Sequence, residues 1–277
     1  MEEKSTILKD ELSRYLRKCG LNNGEIERYC RDLARMKNPY AWVDLYDIST
    51  FYFYLKQANR LIQDKILRDA LKFIAIFSLI EKLCSEQKFV ELKEWMQSNE
   101  IIQEYEPKRS ELPLKELFKS LIEGYHRYHG STQKILQFFR ILEKEEKIAV
   151  IRSIRKVFSK RYGIPLIPIC HRSGCKFDEL CQSCNFDSDR GKCPIWGSEE
   201  KLNDCLERIA KDIYEIRNKF VHDAIIPLFP EKEIPLFHVL DRKKPPVQIT
   251  FQVEYFESLI DKYFRQLLDI YVKNLDK

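Results

Sequence analysis

An all-α helical bundle is the fold this sequence predicts, on three observations. Apolar residues recur at three- and four-residue spacing through most of the chain. Glycine is scarce, with 8 residues and none after Gly197, which argues against a Gly-rich β-barrel or phosphate-binding fold. Hydrophobic residues make up 44% and charged residues 33% of the chain, enough for a core and too apolar for disorder. The length of 277 residues admits one large or two modest domains. No GxGxxG, GxxxxGKS/T, GxSxG or HExxH string occurs, so the commonest nucleotide-binding, hydrolase and zinc-protease classes are removed.

From Ser5 to about Met36 the pattern predicts two short helices separated by the polar turn Gly20 to Gly24. Asn38-Pro39 breaks the chain, and the aromatic-rich stretch Tyr40 to Tyr54 has no clear period. A long helix is expected from about Gln57 to Ser85, with Leu61, Ile62, Ile66, Leu71, Ile74, Phe77 and Ile80 as apolar positions. Its end, FIAIFSLIEKL, is apolar on almost every side and belongs inside a bundle. Further helices are expected at Lys88 to Ser98, Leu114 to His129 and Ser131 to Tyr162. Pro165 and Pro168 close that run, and a cysteine-rich segment of low periodicity fills Ile169 to Trp196. The next helix starts near Ser198, and Leu202, Leu206, Ile209, Ile213, Ile216 and Phe220 give it a continuous stripe. IPLFHVL and VQITFQV flank Arg242-Lys243-Lys244-Pro245-Pro246 and predict a short β-hairpin. A final helix is expected from Glu254 to Leu275. These breaks divide the chain into an N-terminal helical region, 1–56, and a larger helical domain, 57–277, with the cysteine-rich insertion at 169–196.

Charge and compartment set further expectations. Lys and Arg number 48 against 43 Asp and Glu, a formal net charge of +5 that does not by itself demand nucleic acid. The first twenty residues carry charges throughout, without the apolar h-region of a secretory signal. The longest apolar run, around Phe73 to Leu79, is far short of a membrane span. A cytoplasmic protein without a membrane partner is expected.

The most informative string is Ile216-Arg217-Asn218-Lys219-Phe220-Val221-His222, at the end of an amphipathic helix. RNA cleavage needs a base for the ribose 2′-OH, a cation for the charge gathering on phosphorus, and an acid for the leaving 5′-oxygen. Histidine exchanges protons near neutrality, and arginine holds phosphate through two parallel hydrogen bonds. Asn218 and His222 are four residues apart and share a helix face, so the amide can steer the imidazole. Arg217 and His222 are five apart, which is about 140° around a regular helix. One copy therefore converges poorly unless the helix ends near Val221, and two facing copies do better. The structural alternative pairs Arg217 with Asp223 or Glu81 and leaves His222 capping a helix C-terminus.

This string resembles the R-x4-6-H motif of the HEPN superfamily, in which a polar residue, often Asn, follows the Arg. Phe77-Ser78-Leu79-Ile80-Glu81-Lys82-Leu83 is similar to the apolar early helix of that family with an embedded Glu. The resemblance covers roughly residues 60 to 275. It implies a helical, metal-independent endoribonuclease whose dimer joins two motifs in one cleft, and a defence, toxin or stress role. His222 would transfer protons, Arg217 would hold phosphate, and Asn218 would orient the imidazole. Some HEPN domains that pair with nucleotidyltransferase antitoxins carry a Tyr two residues after the His; this chain has Ala224 there, which argues against the toxin–antitoxin version.

Glu81 is costly to bury alone. Either it has a cationic partner, for which Arg217 is the natural candidate, or it marks the one wet edge of its helix. Two basic features could hold RNA: Arg152, Arg155, Lys156, Lys160 and Arg161 on the helix before the cysteine segment, and Tyr125-His126-Arg127-Tyr128-His129, whose rings could stack bases. Both also fit an ordinary solvated helix face or helix end.

Five of the nine cysteines crowd into Cys170-x4-Cys175-x5-Cys181-x2-Cys184-x8-Cys193, beside His171. A Cys-x2-Cys knuckle lets two thiolates grip one ion, and tetrahedral zinc needs four such ligands. Cys175, Cys181, Cys184 and Cys193 form the simplest set, with Cys170 or His171 able to replace one. An all-cysteine shell leaves no open position, so the zinc is structural, with an iron–sulfur cluster as runner-up. Cys19, Cys30, Cys84 and Cys205 read as small hydrophobes.

The expected activity is therefore cleavage of single-stranded RNA by a homodimer that carries structural zinc and no catalytic metal. The alternatives are a non-catalytic RNA- or protein-binding bundle, and a scaffold whose zinc element recognises a regulatory protein partner. Elemental analysis is expected to find one zinc per chain, lost when Cys181 and Cys184 are both changed to serine. Iron with acid-labile sulfide would instead mark a cluster.

Overall fold

The computed structural model describes residues 2–38, 40–84, 92–158, 198–223, 236–239 and 247–275. Within them the chain folds as a helical bundle with a small antiparallel sheet. The helices are α1 (Glu2–Lys18), α2 (Asn23–Arg35), α3 (Ala41–Leu61), α4 (Lys65–Leu83), α5 (Leu92–Met96), α6 (Asn99–Tyr105), α7 (Lys108–Glu111), α8 (Leu114–His129), α9 (Ser131–Ile141), α10 (Lys144–Ser153), α11 (Glu199–Asp223) and α12 (Val253–Asn274). The strands are β1 (Ile154–Phe158), β2 (Leu236–Val239) and β3 (Val247–Phe251), in spatial order β1-β3-β2.

Helix α4 is the hub. It packs against α3, α9, α11 and α12, and Phe73, Ile76, Phe77, Leu79, Ile80 and Leu83 are all buried. That follows from a segment apolar on almost every side, which neighbours must surround. α11 lies on α9, α10 and α4, with the predicted stripe Leu202, Leu206, Ile209, Ile213 and Ile216 turned inward.

Several elements differ from expectation, each through a local cap or a distant partner. The aromatic stretch after residue 40 is the helix α3, and it absorbs the start of the run expected from Gln57. The chain leaves the helix at Ile62, and Asp64 caps α4 by accepting from the Leu67 N–H at 2.7 Å. The long helix expected from Ser131 to Tyr162 is likewise two helices and a strand. A capping box joins Glu143 and Glu146 at the start of α10. Beyond Ser153 the backbone becomes β1, because Ile154 through Phe158 pair with Phe251 through Val247. The expected hairpin is present as β2 and β3, in the register Leu236 with Thr250 and Val239 with Val247.

The division expected at residue 56 falls inside α3, and α1 to α3 contribute Leu12, Leu16, Tyr29, Leu33, Leu45 and Tyr52 to the same apolar core as α4 and α12. Gly20, at φ +91°, ends α1 in a Schellman turn: its N–H donates to Arg17 O at 3.0 Å and the Leu21 N–H to Leu16 O at 3.1 Å.

Residues four apart on α12 tie these helices down. Lys72 of α4 donates to Glu257 at 2.6 Å, and the Tyr52 hydroxyl of α3 donates to Asp261. Arg265 donates to Gly20 O at 2.6 Å, and Tyr29 and Arg28 of α2 donate to Asp269 at 2.6 and 2.7 Å. A four-residue step advances about 40° around a helix, so the row winds from α4 past α3 to α2.

Phe251, at the end of β3, joins sheet to bundle. It is 3% exposed, stacks on Phe256 with centroids 4.3 Å apart and meets Phe73 edge-on at 4.3 Å. A smaller cluster of Trp95, Ile101 and Leu121 unites α5, α6 and α8, leaving Leu114, Phe118 and Ile122 on the outer side of α8. Among the described residues no helix is long and apolar enough to cross a membrane. Phe251→Ala is expected to lower unfolding free energy by about 3–5 kcal/mol in denaturant titration. Phe118→Ala, at a side chain 49% exposed, should stay within about 0.5 kcal/mol of the starting protein.

Candidate functional site

The site is built where α11 crosses α4. The buried stripe of α11 fixes its rotation, and Arg217, one residue past Ile216, falls at the stripe's edge. Glu81 sits on buried α4 between Ile80 and Lys82 and is 6% exposed. Its Oε2 accepts an ion-paired contact from Arg217 Nη2 at 2.9 Å, and the Arg217 side chain is 21% exposed. The buried Glu81 therefore has the cationic partner its desolvation cost calls for. The same contact is the one named in the structural alternative for Arg217.

The compensation is incomplete. Glu81 Oε1 and Arg217 Nε are buried without a hydrogen-bond partner. Burial pushes the Glu81 carboxyl above its ordinary value, while the Arg217 guanidinium, the Ser131 hydroxyl and the Lys134 ammonium pull it back. Lys82, next in sequence, turns away and pairs with Asp44 at 3.0 Å. Ser131 and Lys134 come from the first turn of α9. Neither stood out in the sequence, because their neighbours come from α4 and α11 and no local pattern reveals them.

Asn218 is half-buried beside Arg217. The α11 backbone runs helically through His222 to Asp223, so Arg217 and His222 stay about 140° apart on one unbroken helix. The helix does not end near Val221, the condition under which a single copy would converge.

The expected basic helix is not formed. Arg152 closes α10, while Arg155 and Lys156 belong to β1, whose pairing with β3 overrides the helical pattern. Lys160 and Arg161 lie outside the described residues, as do Cys170, His171, Cys175, Cys181, Cys184 and Cys193. Cys19, Cys30, Cys84 and Cys205 are buried, and burial pushes the Cys19 thiol up to about 12. A cleft of about 470 Å3 between α1 and α2, lined by Lys9, Arg17, Arg31 and Cys30 among others, contains none of the predicted site residues.

Comparison of the chain with protein-family models, curated proteins and solved structures finds no match.

A carboxyl held above its ordinary value contributes stability that is fully present below that value, 4.5, and is lost as the pH rises through the raised one. Thermal unfolding of the protein and of Glu81→Gln between pH 7 and 4 is expected to show the unmodified chain gaining on the variant as acid is added. Glu81→Ala should cost up to about 3 kcal/mol, the lower end for breaking a buried pair, because Arg217 keeps some contact with water.

Proposed function

We propose that the chain is a HEPN-like, metal-independent endoribonuclease that acts on single-stranded RNA as a homodimer, with structural zinc in its cysteine-rich segment. The observation that supports this most is the Glu81–Arg217 contact. It holds a mostly buried guanidinium, 21% of whose side chain stays open to solvent, on a buried support five residues before His222 on a continuous helix. A guanidinium fixed in advance pays little entropy when it meets a phosphate.

In this reading the ribose 2′-oxygen attacks phosphorus and the bond from phosphorus to the 5′-oxygen breaks. The base removes the 2′-OH proton, and an acid delivers a proton to the leaving oxygen. The products are a 2′,3′-cyclic phosphate and a free 5′-hydroxyl. His222 carries the proton, Arg217 stabilises charge on the phosphoryl oxygens, and Asn218 orients the imidazole. The separation of Arg217 and His222 around α11 favours a cleft shared by two copies. A defence or stress role, and control by a regulatory protein partner, are what the resemblance implies.

A second reading, a non-catalytic RNA- or protein-binding bundle, draws on the same contact, since a guanidinium tied to a carboxylate also serves as a brace between helices.

RNA degradation in EDTA separates the two. His222→Ala is expected to slow cleavage by about 10²–10⁴-fold and Arg217→Ala by about 10²–10³-fold, with both variants folded by circular dichroism. Equal activity in all three proteins would reject the nuclease, and binding without cleavage would favour the second reading.

A further inference from the structure

Lys134 is the described lysine whose surroundings suit it least. It lies in the first turn of α9, where the helix dipole disfavours a cation. Its side chain is half-buried, and burial with the nearby Arg217 and Lys82 charges drives its ammonium below the ordinary lysine value, against the pull of Glu81. The buried lysines are matched, Lys72 reaching Glu257 at 2.6 Å and Lys147 reaching Glu199 at 2.5 Å, and the exposed Lys82 reaches Asp44 at 3.0 Å. Among the described residues Lys134 has no carboxylate within ion-pairing distance. Glu81 supplies one negative charge against two positive ones, and its contact goes to Arg217.

Half-buried charge without a counter-charge is costly, and such violations of local preference gather where a ligand completes the balance. The missing component is an anion. It must approach from solvent, to which Arg217 and Lys134 each keep partial exposure. The α9 N-terminus, whose N-cap Gly130 offers no side-chain cap, adds positive potential in the turn that carries Lys134. Resting on the proposed nuclease reading, we propose that Lys134 and Arg217 together form a half-open site for one backbone phosphate of single-stranded RNA, with Glu81 as the internal strut that keeps the guanidinium in place. Lys134 is a binding residue in this arrangement and takes no part in proton transfer.

The test uses the full chain, a short single-stranded oligouridylate, and the variants Lys134→Met, which keeps the apolar stem, and Lys134→Arg, which keeps the charge. Lys134→Met is expected to weaken binding about tenfold at low salt and to reduce the slope of log affinity against log salt by about 0.7, one phosphate contact on a single strand. Lys134→Arg should keep both. Lys134→Met should also unfold at the same or a higher temperature, because an unmatched charge has been removed. In the cleavage assay its loss should appear as a fall in kcat/KM. If no cleavage occurs but the salt slope changes as described, the nuclease reading fails and the phosphate site stands. Unchanged affinity and slope in Lys134→Met would overturn the phosphate site. So would equal weakening in Lys134→Met and Lys134→Arg with a fall in unfolding temperature, the mark of a structural lysine.

Discussion

The architecture depends on the burial of α4 around most of its circumference, with the edge of Leu71, Ala75, Ser78 and Lys82 left partly open. A helix of this kind cannot lie on a surface, so α3, α9, α11 and α12 must enclose it. Two carboxylates of α4 are buried, Asp69 beside Arg68 and Glu81 further along, and Glu81 dictates what the enclosing helices bring. α11 brings Arg217 at 2.9 Å, and the start of α9 brings Ser131 and Lys134. The polar centre of the molecule is thus a consequence of how its apolar centre is wrapped.

The second constraint is the row of polar groups on α12. Glu257, Asp261, Arg265 and Asp269 each reach a different part of the α1–α4 region. Apolar burial alone leaves helices free to slide or rotate by part of a turn, and directional contacts at four-residue intervals remove that freedom. Because α4 is one of the helices held this way, through Lys72 and Glu257, the placement of Glu81 rests on the same row. Phe251 does similar work for the sheet, setting the end of β3 between Phe73 and Phe256.

Much of this was legible in the sequence where a strong physical demand acts locally. The circumference of α4, the stripe of α11, the hairpin of β2 and β3, and the need of Glu81 for a cation such as Arg217 all follow from burial and periodicity. What was missed came from weaker or more distant signals. The interruptions at Ile62 and Leu142 contain no glycine or proline and depend on caps from Asp64 and Glu143, each a single side chain acting against a favourable period. The aromatic residues of α3 turn several ways, Tyr46 and Phe53 to Tyr15 of α1 and Tyr52 to Phe264 of α12, and gave no clean stripe. β1 exists because β3, almost a hundred residues later, lies beside it. Lys134 looks ordinary in α9, and only the arrival of α4 and α11 surrounds it with charge.

The Asp269 contacts with Arg28 and Tyr29 join residues 241 and 240 positions apart. On the ribosome these bonds cannot close until nearly the whole described chain has been made, so the N-terminal helices wait through most of synthesis without the partner that latches them. Contacts of such long range are slow to form, and the parts of α2 and α3 that α12 covers stay open to chaperones until it emerges.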